Sequence, residues 1–479
     1  MIADLGPYPA YRDSGVPWLG QVPEHWDLER AKRLFRKMKR PVRETDEVVT
    51  CFRDGVVTLR KNRRVRGFTE SLKEIGYQGI RRGDLVIHAM DAFAGAVGVA
   101  DSDGKGTPVY SVCEPRPGTN ANYYAYMIRE MARSQWILAL AKGIRERSTD
   151  FRFDGFASQP VPLPPLDEQS AIVRFLDHVD RRIRRYIRAK QRLIALLSEQ
   201  KQAIIHRAVT RGLDPKVRLK PSGVEWLGEV PEHWEVARLK TRLSRNDAGA
   251  WGSDSSDAGI IVLRSTEQTI DGGWRIENPA RRRLSERERE ETFLRAGDLV
   301  VTKSSGSSAH IGKTSLVSAD IETMQCGFSN FMQRLRPDGR TVPLFIWLLI
   351  NNRVGRDQLV YYSSTTTGLG NLTGTILGDL WFAFPPWPEQ ERVCRCLADA
   401  TSLLDSAIVG AQRGIKLLLE YRTRLIADVV TGKVDVRHLA PAASEELPED
   451  EEPLEEEALK DGAQRIESEL DEEVQDEQP

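Results

Sequence analysis

Five cations fall within seven residues of the stretch RKNRRVRGF: Arg60, Lys61, Arg63, Arg64 and Arg66. Positive charge at that density suits a polyanion, because each phosphate neutralised by Lys or Arg releases condensed counterions. A second stretch, AKGIRERSTDFRF, adds Lys142, Arg145, Arg147 and Arg152, and His88 closes the strand-like RRGDLVIH. Farther along, KSSGSSAHIGKT offers Lys303, Ser304, Ser305, Ser307, His310 and Lys313. YYSSTTTGLGNLT offers Tyr361, Tyr362, Thr366 and Asn371 on a glycine-flexible loop. Such groups neutralise phosphates and hydrogen-bond base edges, and an arginine can grip guanine O6 and N7 through two bonds. For each residue the rival is a solvated charged face or an ordinary polar loop.

Catalytic constellations are missing by comparison. GSSAHIGKT resembles a phosphate-binding loop, but five residues separate Gly306 from Gly312 where four are required. FPPW at 384–387 is one residue from the motif with which amino-methyltransferases hold an exocyclic amine, yet Phe384 has no carbonyl to accept that N–H. No glycine-rich turn with a downstream acid suggests an S-adenosylmethionine pocket, and no Asp, Glu and Lys cluster suggests a nuclease metal site. Five scattered cysteines, Cys51, Cys113, Cys326, Cys394 and Cys396, form no CxxC pair and read as reduced thiols. The chain is therefore expected to lack chemistry, cofactor and metal of its own.

The net charge of −1 conceals a polarity. From Ser444 onward there are 17 acidic and 2 basic residues, leaving 67 basic and 53 acidic in 1–443, so a body of +14 precedes a tail of −15. A tail so uniformly charged cannot bury enough surface to offset its ordering entropy and reads as disordered. It could screen the body from non-specific nucleic acid or merely confer solubility. At 479 residues two or more domains are expected. The longest apolar run, Leu344 to Ile350, is far below the roughly 20 residues that cross a bilayer. With no signal-like N-terminus either, a cytoplasmic protein is expected.

Repeats organise the chain. SGVPWLGQVPEHW (14–26) returns as SGVEWLGEVPEHW (222–234), identical at eleven of thirteen positions. RRGDLVIH (81–88) answers RAGDLVVT (295–302), and PPLDEQSAIVRFL (164–176) answers PPWPEQERVCRCL (385–397). The ends of each half match and the middles diverge, as expected of one duplicated unit varied inside. Short strand patterns broken by glycine fill each half, such as DLVIHAM, AGAVGVA and TPVYSVC, then GIIVLRS, DLVVTKS and GKTSLVS. Trp18, Trp26, Trp226 and Trp234 then read as packing residues, and His25 and His233 as satisfied structural histidines.

After each globule, prolines and carboxylates open a helix predicted to run to Gly212 in the first half and Gly432 in the second. Ile172, Leu176, Val179, Ile183, Tyr186, Leu193 and Leu197 form one apolar stripe; Val393, Leu397, Leu404, Leu418 and Leu425 form the other. That spacing predicts a coiled-coil seam, with Ala407, Ala411 and Gly414 allowing close approach near Lys190. Helices this long exceed a small domain's width, so the two are expected to pair antiparallel as a spacer rod.

A duplicated chain built in this way resembles the specificity subunit of type I restriction-modification enzymes, often called HsdS. The WLG-x-VPEHW stretches at 18–26 and 226–234, GDLV before a glycine-rich turn, and the Pro-Pro-x-x-Glu-Gln helix start carry the resemblance over residues 10–440. It implies an α/β (α+β) fold with an internal pseudo-two-fold repeat. The expected parts are recognition domain 1 at 1–163, a central spacer helix at 164–213, recognition domain 2 at 214–384, a C-terminal spacer helix at 385–438 and an acidic tail at 439–479. The resemblance further implies that each domain reads one half of a split, asymmetric double-stranded DNA site. It implies partners as well: two modification subunits that bind S-adenosylmethionine, and restriction subunits that use ATP and Mg²⁺. A duplicated coiled-coil adaptor and a non-specific nucleic-acid binder remain as alternatives.

Overall fold

Two wholly apolar stretches, LVI at 85–87 and LVV at 299–301, require strands covered on both faces, since neither leaves a polar side for water. The computed structural model describes residues 5–63, 75–140, 150–254, 259–304, 311–364 and 372–439. The chain divides into two units, one holding residues up to Gln191 and from Gln412 onward, the other Arg192–Ala411. Mixed helix and sheet, as expected from the sequence, is found in both.

In the first unit the strand order is Phe35–Lys37, Tyr110–Pro115, Leu85–His88, Val97–Val99, all antiparallel. Leu85, Ile87 and Val97 turn into a core with Tyr123, Tyr124, Met127 and Ile128 of the helix Ala121–Arg133. Val86 and Val112 turn the opposite way, onto Val49, Cys51, Val57 and Ile80. The side-chain alternation of a strand thus feeds two cores from one sheet.

In the second unit the order is Leu243–Ala248, Met332–Pro337, Leu299–Thr302, Thr314–Leu316, again antiparallel. Leu299 and Val301 meet Phe345, Ile346 and Leu349 of the helix Pro343–Asn351, while Val300 meets Leu263, Phe328 and Met332. This unit carries a second four-stranded sheet, ordered Ser253–Asp254, Ala280–Arg283, Ile260–Leu263, Gly327–Phe328. The six quoted strand patterns all form strands.

The long helices are Leu166–Arg211, 46 residues, and Trp387–Val430, 44 residues. Gly212 and Gly432 follow them with φ of 72° and 77°, the left-handed geometry that ends a helix at lowest cost when no Cβ is present. Inside the first unit Asp180 pairs with Arg422 and Lys190 lies beside Gly414, so the two helical segments run in opposite directions. Inside the second unit Lys201 Nζ is 2.5 Å from Asp405 Oδ1, and Ile205, Ala208 and Val209 pack with Val393 and Leu397. Direction is opposed there too.

The seam differs from the expected one in phase. Ile172, Leu176, Ile183, Val393, Leu397 and Leu425 are buried, and Val179, Leu197, Leu404 and Leu418 are half-buried. Leu193 is 46% exposed and Tyr186 54% exposed, and neither belongs to the seam; Ala407 is exposed also. The covered stripe instead runs 172, 176, 179, 183, 187, 190, 194, 197, 201, 205, 208, ten steps in 36 residues, or 3.6 per step. That is the period of a straight helix. A 3.5-residue heptad drifts about 20° per repeat against it, so positions chosen by heptad slide off the contact line after two or three repeats. Ile187 and Ile415, both buried, take the places that the heptad assigned to Tyr186 and Gly414.

Candidate nucleic-acid interface

The repeated EHW segments lock onto the helix starts. The buried Glu168 accepts from Tyr8 Oη at 2.6 Å and Trp26 Nε1 at 2.9 Å, and its other oxygen lies 2.8 Å from His25 Nε2. Its neighbour Gln169 accepts from the Asn120 N–H at 2.8 Å, just where the helix Ala121–Arg133 begins, and donates to the Pro164 carbonyl at 2.8 Å. In the second unit Glu389 accepts from Trp234 Nε1 at 3.2 Å and lies 2.8 Å from His233 Nε2. Gln390 there accepts from the Val342 N–H at 2.8 Å and donates to the Pro385 carbonyl at 2.9 Å. One Glu-Gln pair therefore ties a long helix to the repeated segment and to the helix that covers the sheet. Trp26 and Trp234 are core residues and the histidines structural, as expected.

A second repeated device lies at the end of each central strand. In the first unit the Ala89 N–H donates to the Val109 carbonyl at 3.1 Å, and the Ala89 carbonyl accepts from the Phe151 N–H at 3.0 Å. In the second, the Lys303 N–H donates to the Phe331 carbonyl at 3.0 Å and the Lys303 carbonyl accepts from the Leu372 N–H at 2.8 Å. Phe151 and Leu372 close the two divergent stretches at 141–149 and 365–371. Phe151 and Leu372 themselves are thereby rooted on the same point of their own sheets.

Around these roots the sequence-derived candidates separate. Arg64, Arg66, Lys142, Arg145, Arg147, Ser305, Ser307, His310, Thr366 and Asn371 lie outside the described residues. Arg60 Nε is 3.4 Å from Thr50 Oγ1, and Lys61 Nζ is 2.5 Å from Glu47 on an exposed surface. Arg63 is largely covered: it pairs with Asp54 at 2.8 Å and its guanidinium stacks 4.6 Å over Phe52. Its charge is engaged in folding. Arg152, exposed, pairs with Asp150 at 2.7 Å beside the Phe151 clamp. The His88 ring packs 5.2 Å from that of Tyr110 at a tilt of 59° and accepts from the Asp91 N–H at 3.2 Å, and burial lowers its pKa.

In the second unit Lys303 and Ser304 are half-buried at the root, and burial lowers the Lys303 pKa. Tyr361 is 52% exposed and packs 5.2 Å from Trp226 and 5.3 Å from Tyr362. Lys313 is a correction. It is only 5% exposed, and its ammonium donates to the carbonyls of Ser265 at 2.9 Å and Gln268 at 2.8 Å. A lysine whose protons are committed to internal carbonyls holds the fold and leaves the interface.

Sequence reasoning passed over Arg281 and Arg283, exposed at alternate positions of the strand Ala280–Arg283, with Arg282 between them stacked 4.6 Å over Trp251. The signal was there as RRR read at a two-residue period, but it sits against the charge run SERERE, which masks it. Among the described residues no group of three His, Cys, Asp or Glu side chains is placed to hold a metal ion. No helix among them is long and apolar enough to cross a membrane.

Residues 94–192 match the family model of the type I restriction modification DNA specificity domain. Over 340 residues, 67% of this chain, the sequence is 23% identical to the StySPI type I restriction enzyme specificity subunit of Salmonella potsdam, covering 70% of it. It is also 23% identical over 240 residues, 46% of this chain, to the putative MjaX specificity subunit of Methanocaldococcus jannaschii, and spans about half (53%) of that relative's length. A chain solved in work on complex assembly and conformational transition of the type I R-M system superposes with a TM-score of 0.60 at 13% identity, covering 85% of this chain and 98% of that one. That last likeness is one of fold. The resemblance to type I specificity subunits read from the repeated motifs is borne out.

Proposed function

We propose that this chain is the sequence-reading subunit of a type I restriction-modification assembly, each unit addressing one half of a split double-stranded DNA site. The observation that supports the proposal is the pair of main-chain clamps at Ala89 and Lys303, which hold Phe151 and Leu372, the residues that follow the divergent polar sequences, at the same place on each sheet. Two related heads suit a duplex, whose backbone presents pseudo-two-fold symmetry to whatever docks on it. Arg60, Lys61, His88 and Arg152 in the first unit, and Lys303, Ser304, Tyr361, Tyr362, Arg281 and Arg283 in the second, are the described residues assigned to DNA. The antiparallel helices, about 65–70 Å of rod at 1.5 Å per residue, set the spacing between half-sites.

Docking of two modification subunits is assigned to the outer faces of these helices. Exposed apolar side chains on the helices, Leu417 (57%) in the first unit and Leu403 (80%), Leu196 (54%) and Val409 (47%) in the second, support this assignment. Methyl transfer with S-adenosylmethionine, and ATP-driven cleavage with Mg²⁺, fall to the partners in the cytoplasm. A target adenine is turned out of the stack into the partner's pocket. This chain supplies position and register.

The test is a mobility shift of the full chain, with and without a modification subunit, competed by random DNA. Retention of one split sequence against excess competitor supports the proposal. Indiscriminate, salt-sensitive retention makes the chain a non-specific binder, and no retention under either condition makes it an adaptor. Methyl transfer by the purified chain alone overturns the division of labour.

A further inference from the structure

At the root of the second unit stands an aromatic side chain that packing does not explain. Phe331 is 57% exposed, although its neighbours on the turn, Phe328 and Met332, are both fully buried. The turn is pinned: the Ser329 N–H donates to the Leu263 carbonyl at 2.8 Å, the Met332 N–H to the Ser329 carbonyl at 2.9 Å, and the Phe331 N–H to Ser329 Oγ at 3.2 Å. A ring held outward by a bonded turn between two buried anchors pays little further ordering entropy on contact. Its carbonyl is the acceptor of the Lys303 clamp, so it stands one hydrogen bond from the residue that also holds Leu372. The corresponding acceptor in the first unit is Val109, a smaller, half-buried residue. The ring is thus a property of one unit alone.

We infer that Phe331 is a specificity residue of the second unit, stacking on or wedging into one base step of the half-site that this unit reads. The inference rests on the DNA-reading role proposed above. An apolar wedge of this kind unstacks a step and favours sequences that deform easily, pyrimidine–purine steps above all. It reads deformability where the polar groups around Lys303 read phosphates and edges. A scattered surface phenylalanine would show no such dependence.

The experiment is selection from a random-sequence duplex pool by the full chain together with a modification subunit, using wild type, Phe331→Ala, Phe331→Gln and Val109→Ala. Wild type is expected to enrich a split sequence. Both Phe331 variants should lose between about five-fold and a hundred-fold of the preference for that duplex over a scrambled one, the scale of removing one stacked ring. The loss should be confined to one half of the site, with the thermal midpoint and the binding of scrambled duplex unchanged. Val109→Ala should leave the preference intact. If wild type enriches a split sequence and either folded Phe331 variant enriches it equally, the inference falls and the DNA-reading proposal stands. If wild type enriches nothing, both fall.

Discussion

Replacing Glu168 by Ala should cost the first unit about twice what replacing Glu389 by Ala costs the second. Glu168 is 3% exposed and accepts from two buried donors, Tyr8 Oη and Trp26 Nε1, besides His25, which is 40% exposed and can turn to water. A buried donor stripped of its partner costs about 1–3 kcal/mol, so two give about 2–6 kcal/mol. Glu389 is 17% exposed and holds the buried donor Trp234 Nε1 at a longer 3.2 Å; its histidine is 49% exposed and, among the described residues, no tyrosine joins it. About 1–3 kcal/mol is expected there. Urea titration followed by hydrogen exchange resolves the two units, which need not unfold together. Protection should fall first around Tyr8–Trp26 in Glu168→Ala, and around Val230–Trp234 in Glu389→Ala. Equal losses, or a larger loss at Glu389, would refute donor counting as the origin of the difference.

Arg63→Ala should lower stability by about 1 kcal/mol, through its stack on Phe52 and pair with Asp54, while leaving the salt dependence of DNA binding unchanged; Arg152→Ala should reduce that slope by about one, as a salt titration would reveal. For His88 the sign follows from burial: the folded state resists protonation, so below the ordinary value of 6.5 the unfolded chain takes the proton first and stability falls. Urea midpoints at pH 7.5 and 5.5 should differ for wild type and much less for His88→Asn, allowing for the neighbouring Asp91, Arg53 and Tyr110. Gly432→Ala should destabilise by at least about 1 kcal/mol, because φ is 77° and the new Cβ would lie 2.9 Å from Trp26. Gly410→Ala, mid-helix with nothing within 4 Å, should instead stabilise by about 0.5–1 kcal/mol in calorimetry.

Periodicity and repetition made the frame legible. LVI and LVV announce doubly covered strands, and the prolines and glycines bracket both long helices to within two residues. The seam was legible near Ile172 and Val393 and lost by Leu193, because the difference between 3.5 and 3.6 residues per turn accumulates with distance. Within the interface, charge in the sequence could not reveal who claims it. Arg63 and Lys313 look like phosphate ligands until Phe52 and Asp54, or the carbonyls of Ser265 and Gln268, are seen to hold them. The Glu168–Trp26 bond spans 142 positions, and local patterning carries no trace of so distant a pairing. Phe331 was equally invisible, since an aromatic beside a strand ordinarily means core.

The clamp at the end of each central strand is made wholly of peptide groups, and an alanine occupies it in one unit and a lysine in the other. No side chain is needed to hold it shut. Any residue that keeps its N–H can therefore occupy the Ala89 or Lys303 position without breaking these bonds, and the side chain there is free to vary without cost to the clamp.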